Sequence, residues 1–343
     1  MVERRCVLIK TVLLGFGYWG PNLARNFQKS PHFELIGIIE VDHVKQARIR
    51  MEYPNVLVFD SIEDFESAGL RIDAAIVATP SATHFQYAKY FLVRGCHVWV
   101  EKPFVLNSNE GELLTELANR KQLRIFVDHT FQYSPAVREI KNNLSTIGQI
   151  TYINSTRSNF GIIQSDTSVI WDLAVHDFSI VQYLIEQSPQ SVIAKSSSPF
   201  SGIQDSVCSV ILDYGSFLAS IHVNWLSPFK SRDFLIGGTN SSILFDDTET
   251  AEKVKIYSQS IAALPELGPA DIRQFDYKYG SVTIPNVQNE ESLETAVKSF
   301  ASYILEKIEP PSSGRLALEL IRILEACEES IKSGGSSIIL ETF

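Results

Sequence analysis

The sequence is poor in cysteine, in long apolar runs and in positive charge. Its four cysteines, Cys6, Cys96, Cys208 and Cys327, are far apart and form no CxxC or Cys/His pattern, so neither a disulfide framework nor a zinc site of that kind is expected. No apolar stretch approaches the roughly 18 residues of a membrane span. A net charge of −10 over 343 residues argues against nucleic acid or an anionic membrane surface as the main partner. We therefore expect buried thiols, no bound metal and a reducing, cytoplasmic environment.

The amino-terminal segment superficially resembles a signal peptide, since Arg4 and Arg5 precede an apolar run. Lys10 interrupts that run, and a glycine turn follows without a small-residue cleavage pattern. We interpret this segment as a first β-strand, not as a targeting signal.

Residues 5 to about 130 alternate short apolar runs with helical periodicity, which is typical of a parallel sheet with crossover helices. The six runs are Val7–Leu14, Leu35–Ile39, Val56–Phe59, Ala74–Ala78, His97–Val100 and Arg124–Val127. The chain is long enough for two domains. We predict a doubly wound, Rossmann-type α/β domain over residues 1–130, which binds a dinucleotide.

The pattern changes after residue 130, where strands with hairpin signals predominate. Phe217, Ala219, Ile221, Val223 and Trp225 alternate onto one strand face after the Tyr214-Gly215 turn. Residues 131–343 are predicted to form an α+β domain with a large, open, mostly antiparallel sheet, helices covering one face. The other face needs cover, and we expect a homodimer or homotetramer through it.

The stretch Gly15-Phe16-Gly17-Tyr18-Trp19-Gly20 lies between a predicted strand and a predicted helix. In the dinucleotide fingerprint the first glycine allows a tight turn, the second lets the backbone approach the pyrophosphate, and the third lets helix pack on strand. Glu40 follows at the spacing of the ribose-binding acid. A carboxylate there accepts from the 2′-hydroxyl of NAD and repels the 2′-phosphate of NADP, so NAD is predicted and NADP is disfavoured.

Ligands of such sheets bind at the carboxyl ends of the strands. That rule places Thr79-Pro80 and Glu101-Lys102 beside the glycine turn, with Lys102 available for proton transfer. A surface lysine at a strand end is the alternative for Lys102 taken alone. His84 lies near the cofactor in one interpretation and caps its helix in another.

Asp172 and His176 are four residues apart within Trp171–Asp177 and share one face of a predicted helix. An imidazole titrates near neutrality and can exchange a proton with an alcohol, while a neighbouring carboxylate holds its tautomer. An ordinary salt-bridged helix face or a cap fits the same spacing.

Together the GFGYWGPN turn, Ala78-Thr79-Pro80 with Thr83-His84, Glu101-Lys102-Pro103 and the WDLAVHD helix closely resemble the glucose–fructose oxidoreductase, inositol dehydrogenase and rhizopine-catabolism (Gfo/Idh/MocA) family of NAD(P)-dependent sugar oxidoreductases. The resemblance implies that Lys102, Asp172 and His176 form the catalytic group. It also implies that Glu101 and Lys102 lie by the nicotinamide and its ribose.

The turn, the segment His129–Ala136 and the WDLAVHD helix are most similar to a subgroup associated with nucleotide-sugar oxidation or 3-keto-sugar reduction. The chain departs from it at Ile162 and Ser165, where basic residues are expected, which puts a phosphate grip by this loop in doubt. Tyr133, Arg157, Asn159 and Gln164 are weaker candidates for substrate contact, and a solvent-exposed edge strand is an equal alternative for Arg157 and Asn159.

Three functions are therefore weighed. The first is an NAD-dependent oxidoreductase of a sugar, with a nucleotide-sugar favoured over a free sugar or polyol. The second is a catalytically silent NAD-binding sensor, which the intact Lys102, Asp172 and His176 disfavour. The third is a structural protein whose glycine turn binds nothing, which the Glu40 spacing disfavours.

Overall fold

The computed structural model describes residues 8–161, 163, 167–199, 205–263 and 275–340. The chain divides into two compact units, each built from two stretches of sequence. The first unit contains Met1–Tyr133 and Glu290–Arg322, and the second contains Ser134–Asn289 and Ile323–Phe343.

The first unit is built on a parallel sheet with the strand order β3-β2-β1-β4-β5-β6. Its strands are β1 (Ile9–Leu14), β2 (Phe33–Ile39), β3 (Leu57–Phe59), β4 (Ala74–Val77), β5 (His97–Val100) and β6 (Ile125–Val127). The order reverses between β1 and β4, which defines the crevice where doubly wound sheets bind ligands. This confirms the predicted Rossmann-type fold class.

Helices α1 (Gly20–Lys29), α2 (His43–Glu52), α3 (Ile62–Ser67), α4 (His84–Val93) and α5 (Ser108–Lys121) connect these strands. Ser61 and Asn107 cap α3 and α5 by accepting backbone N–H groups of Asp64 and Glu110 at 3.1 and 3.0 Å, as their sequence positions predict.

An aromatic cluster forms the centre of the first unit. Phe27 of α1 packs edge-on against Trp99 of β5, with ring centroids 5.3 Å apart, and Trp99 stacks on Phe126 of β6 at 4.3 Å. Phe300 contacts all three of these rings and is fully buried. Phe300 is therefore part of this core. Burial of one such ring contributes about 1.5–3 kcal/mol to the free energy of unfolding.

The domain limits differ from those expected at the late helices. Helix α8 (Ser292–Leu305), placed in the second domain by sequence, belongs to the first unit, where Arg25 and Lys29 of α1 pair with Glu291 and Glu294. Residues 312–313 then lie along β6, with Val127 N–H donating to the Ser312 carbonyl at 2.9 Å. The late return of the chain to the first sheet is the physical reason for the difference.

The second unit contains a large sheet with the order β16-β13-β12-β11-β7-β10-β9-β8-β17 among the described residues. Its strands are β7 (Ile150–Phe160), β8 (Ser191–Ser197), β9 (Val207–Asp213), β10 (Leu218–Asn224), β11 (Leu226–Gly238), β12 (Ser242–Asp246), β13 (Val254–Tyr257), β16 (Val282–Thr283) and β17 (Ile338–Ile339), and β14 (Ser260–Ala263) pairs separately with β15 (Phe275–Lys278). The β7–β10 pair is parallel and the other pairs are antiparallel. The predicted mostly antiparallel sheet is confirmed.

Helices α6 (Pro135–Asn143) and α7 (Val175–Ile185), with the second half of α9 (Gly314–Lys332), also belong to the second unit. On β10, Ala219, Ile221 and Val223 are buried, whereas Leu218 on the alternate face is exposed. The alternation in the sequence therefore marks one covered face of this sheet.

Candidate active site

The glycine turn between β1 and α1 has the three-glycine geometry of a dinucleotide site. Gly15 has φ +93°, and a Cβ there would lie 2.5 Å from the Ala78 carbonyl oxygen. A Cβ at Gly20 would lie 2.7 Å from the Gly15 oxygen, whereas no heavy atom of the described residues lies within 4 Å of a Cβ at Gly17. Packing within the protein thus requires Gly15 and Gly20, and the turn at Gly17 is open to a ligand. These residues fit a pyrophosphate at the start of α1.

Glu40 follows β2 and bonds back to the glycine turn. The Phe16 N–H donates to Glu40 Oε2 at 2.7 Å, and the Asp42 N–H donates to Oε1 at 2.9 Å. Lys45 Nζ lies 4.0 Å from Oε2. Because each carboxylate oxygen accepts more than one hydrogen bond, Glu40 orients the Phe16 amide and retains acceptor capacity for a ribose hydroxyl.

His84 bridges two loops at the same sheet edge. One ring nitrogen lies 2.8 Å from the Thr79 carbonyl oxygen, and the other lies 2.8 Å from the carbonyl oxygen of Pro103, which follows a cis Lys102–Pro103 bond. The ring is buried, and burial lowers the pKa of His84 while the two carbonyl contacts oppose that shift. His84 thus connects the Thr79-Pro80 loop to the Lys102 loop, and neither ring nitrogen is turned outward.

Glu101 and Asp128 directly follow β5 and β6, so both carboxyl groups belong to the same edge of the sheet. Burial and the Asp128 carboxylate raise the pKa of Glu101 well above its usual range. Asp128 Oδ2 accepts from the Trp19 indole N–H at 3.0 Å, and Oδ1 accepts from the Thr130 hydroxyl at 2.6 Å. The Trp19 bond joins the glycine turn to the end of β6.

His129 follows Asp128 in the chain and is buried. Burial, with the charge of Lys102 adding to it, lowers the pKa of His129 to about 3. Neither ring nitrogen has a hydrogen-bond partner within the described part of the chain. The imidazole is therefore neutral, next to the cofactor edge.

In the second unit, Asp172 lies in a π-helical segment, Ile170–Ala174, that runs into α7, and His176 is the second residue of α7. Single π-turns occur often at functional sites. The indole N–H of Trp225 donates to Asp172 Oδ2 at 3.2 Å, and the neighbouring Trp171 indole donates to Glu328 at 2.7 Å. Asp172 is thus held by a buried side chain at the end of β10.

Asp177, the residue after His176, is anchored to β7 by a buried ion pair. Arg157 Nε donates to Asp177 Oδ2 at 2.8 Å, Arg157 Nη2 donates to Oδ1 at 3.1 Å, and the Ser155 hydroxyl donates to Oδ1 at 2.9 Å. Only 6% of the Arg157 side chain and 3% of the Asp177 side chain are exposed. The pair fixes the start of α7, and with it His176, against the sheet.

Two of the expected substrate contacts, Tyr133 and Arg157, have hydrogen-bond partners within their own units. Tyr133 is buried in the first unit, stacks on Phe126 and shares a hydrogen bond with the Ser312 hydroxyl at 2.6 Å; burial raises its pKa. Arg157 binds Asp177 and so positions α7; its contact with a sugar stays a prediction. Asn159 is half-buried near the end of β7 and stays a candidate.

Gln164, Ile162 and Ser165 lie outside the described residues. The expected cofactor and catalytic residues fall in separate units: Lys102 with the glycine turn, Glu40, Thr79 and Glu101 in the first, and Asp172 with His176 in the second. Tyr18 is almost fully exposed and stacks on Trp19.

Sequence reasoning missed Asp128, Asp177 and Trp225 as site residues. Asp177 stands inside the WDLAVHD motif and Asp128 directly follows a predicted strand, so both positions carried a signal. Their partners are distant in sequence. Trp225, which the alternation places on one face of its strand, is buried, but that pattern does not reveal its bond to Asp172.

Two family models match the chain. The oxidoreductase family with an NAD-binding Rossmann fold matches residues 9–129, and the GFO/IDH/MocA C-terminal domain matches residues 144–244. The chain belongs to the Gfo/Idh/MocA family. It is an oxidoreductase with an NAD(P)-binding Rossmann unit, which confirms the resemblance stated from its motifs.

Named relatives of this Gfo/Idh/MocA member include scyllo-inositol 2-dehydrogenase (NADP(+)) IolW of Bacillus subtilis, 23% identical over 99% of this chain and 98% of its own length. UDP-N-acetylglucosamine 3-dehydrogenase of Acidithiobacillus ferrooxidans is 26% identical over 54% of this chain and 57% of its own. A solved oxidoreductase of Agrobacterium radiobacter, in complex with NAD+, L-tartaric acid and magnesium, shares the fold with TM-score 0.78 and 14% identity, covering 96% of this chain and 98% of that one.

The described residues contain no cluster of three or more His, Cys, Asp or Glu side chains that could hold a metal ion. None of the helices within these ranges has the length and apolar character to cross a membrane.

Proposed function

We propose that this protein is an NAD-dependent oxidoreductase that transfers a hydride between a sugar ring carbon and nicotinamide. The observation that carries the proposal is the glycine turn, in which Gly15 and Gly20 are required by packing and Gly17 is open to a ligand. The names of the inositol and UDP-N-acetylglucosamine dehydrogenases among its relatives support a ring hydroxyl as the reacting group.

A bound nicotinamide cofactor supplies the hydride chemistry, and the protein supplies position and proton transfer. In the oxidative direction His176 accepts the proton of the substrate hydroxyl, and Asp172 orients and stabilises the imidazole. The Trp225 N–H bond to Asp172 supports this role, because it fixes the carboxylate. Lys102 hydrogen-bonds the developing alkoxide, and the division of acid–base work between Lys102 and His176 is left to experiment.

The preference for NAD rests on Glu40. Its carboxylate lies at the end of β2, where it accepts a ribose hydroxyl and repels a 2′-phosphate. Lys45 lies 4.0 Å from that carboxylate and offsets part of the repulsion. The relative named as NADP(+)-dependent makes a direct comparison of the two cofactors the necessary test.

Nucleotide-sugars are the proposed substrate class, with free sugars and polyols as the alternative. The motif subgroup and the UDP-N-acetylglucosamine dehydrogenase support the first class, whereas the inositol dehydrogenase supports the second. The purified protein should be mixed with NAD+ or NADH and a panel of polyols, free sugars, UDP-sugars and dTDP-keto-sugars, and nicotinamide absorbance followed.

The result of that panel distinguishes the candidate functions. Turnover of a UDP-sugar alone supports a nucleotide-sugar oxidoreductase, and turnover of a polyol alone supports a free-sugar or polyol oxidoreductase. Bound NADH with no turnover of any member favours the sensor, and absence of cofactor binding contradicts the proposal.

We also propose a cytoplasmic homo-oligomer that assembles through the exposed face of the large sheet. Leu218 on β10 and its register partner Tyr152 on β7 are both exposed on that face, as is Ile193 on β8. Leu218→Glu should shift the sedimentation coefficient toward that of the monomer. Free, buried thiols at Cys96, Cys208 and Cys327 support a reducing compartment.

A further inference from the structure

The π-helical turn that carries Asp172 differs in its hydrogen bonds from the regular helix on either side. The Val175 N–H donates to the Ile170 carbonyl, five residues back, whereas the Asp172 N–H donates to the Ser168 carbonyl, four residues back, at 3.1 Å. A π-turn inside an α-helix is rare. We therefore expect side chains outside the segment to hold it.

Two indole groups hold consecutive residues of this π-turn. The Trp171 N–H donates to Glu328 Oε1 of α9 at 2.7 Å. The Trp225 N–H, directly after β10, donates to Asp172 Oδ2 at 3.2 Å. Successive side chains on a helix lie about a quarter of a turn apart around its axis. Two fixed contacts at neighbouring positions therefore prevent the π-turn from rotating about that axis, which one contact alone permits.

The Glu328 carboxylate is well placed to hold Trp171. Trp171 is 6% exposed, so its N–H needs an acceptor within the protein, and an ionised acceptor makes the stronger hydrogen bond. Lys332, one turn along α9, lies 3.3 Å from the other carboxylate oxygen, Oε2. Each oxygen of Glu328 thus has its own partner, which fixes the direction of the carboxylate.

We propose that Glu328 is a positioning residue for the proposed oxidoreductase chemistry. Its carboxylate holds the Trp171 indole, the indole holds the π-turn, and the π-turn keeps Asp172 within reach of Trp225. These contacts lie wholly within the second unit. Only the effect of Glu328 on turnover rests on the proposed function.

The indole N–H groups of the four tryptophans test the contacts without any substrate. Trp171→Phe and Trp225→Phe assign the two relevant signals in nitrogen-15 NMR spectra. In Glu328→Ala, the Trp171 N–H should exchange with solvent at least about tenfold faster, because its charged acceptor is gone. The Trp225 N–H signal should shift in the same variant, because Asp172 moves relative to it.

Two further variants serve as controls for this measurement. Glu328→Gln keeps an acceptor oxygen and should retain the wild-type behaviour of both signals. Glu329→Ala changes an exposed neighbouring position of α9 and should affect neither signal. A wild-type exchange rate at Trp171 in Glu328→Ala overturns the proposal. An unmoved Trp225 signal in that variant also overturns it, because Glu328 would then hold Trp171 without positioning Asp172.

The effect on turnover is measured with a sugar or polyol that the wild type turns over. Glu328→Ala should lower kcat by about tenfold, because Asp172 is misplaced, and Glu328→Gln should restore it. NADH affinity should stay at the wild-type value, because the glycine turn belongs to the first unit. Unchanged kcat in Glu328→Ala overturns the role in catalysis. If the wild type turns over no member of the panel, the proposed function fails instead, and the indole signals still decide whether Glu328 positions the π-turn.

Discussion

Replacing Asp177 by alanine should be one of the most damaging changes in the second unit. The substitution removes the acceptor of two Arg157 N–H bonds and of the Ser155 hydroxyl and leaves a guanidinium whose side chain is 6% exposed without its counter-ion. Breaking a buried pair from one side costs about 3–5 kcal/mol. Because domains are stable by only about 5–15 kcal/mol, this loss is about a fifth or more of the total free energy of unfolding.

The assay is urea unfolding followed by far-UV circular dichroism, with the free energy of unfolding extrapolated to water. The double variant Arg157→Met with Asp177→Leu removes both charges and should lie within about 1 kcal/mol of the wild type, or above it. Glu252→Ala breaks the exposed Lys255–Glu252 pair and should cost less than about 1 kcal/mol.

Loss of the Asp177 carboxylate should also lower activity, because its ion pair with Arg157 positions α7 and His176. Asp177→Asn, assayed at a temperature where it is folded, should lower kcat by about tenfold because His176 is misplaced, with NADH affinity retained. A loss below about 1 kcal/mol in Asp177→Ala would refute the buried-pair reasoning, and unchanged kcat in Asp177→Asn would refute the positioning of His176.

Four further predictions concern the cofactor edge and the proposed base. Gly17→Ala should weaken NADH binding at unchanged melting temperature, whereas Gly20→Ala should lower the melting temperature, because its Cβ meets a backbone oxygen at 2.7 Å. Glu40→Ala should raise the ratio of NADPH to NADH affinity, and an unchanged ratio contradicts the charge argument. The pKa of His129 is about 3 in the folded protein, below its value in the unfolded chain. The free energy of unfolding should therefore fall as the pH drops below about 6.5. In urea titrations, His129→Asn should remove about 1.4 kcal/mol of that loss per pH unit. His176→Ala should lower turnover by about 100- to 10,000-fold with NADH affinity retained; wild-type turnover would reject its role as base.

Local patterns predicted the first sheet well, because each buried parallel strand is a short apolar run and each turn carries its own glycine or cap. Gly15, Gly20 and Glu40 were found this way. The positions that follow the strands also follow from sheet geometry, which is why Glu101 and Lys102 fall at the predicted edge.

Local sequence patterns did not predict the contacts between segments that are distant in the chain. Tyr133 reads as a polar loop residue until Ser312 is known to lie beside it, and a polar strand does not reveal that Arg157 faces Asp177. The π-helical form of Ile170–Ala174 was also missed, because four-residue spacing places Asp172 and His176 on one face in either helix type.

The late return of residues 290–322 to the first unit bears on synthesis. Phe300, which fills the aromatic centre, leaves the ribosome only after the strands of the large sheet from β7 to β13 have been made. The cofactor-binding unit therefore cannot complete its core while it is the only part of the chain translated, and a fragment ending at residue 133 lacks that ring. The core of the first unit is therefore completed only after most of the second unit has been synthesised.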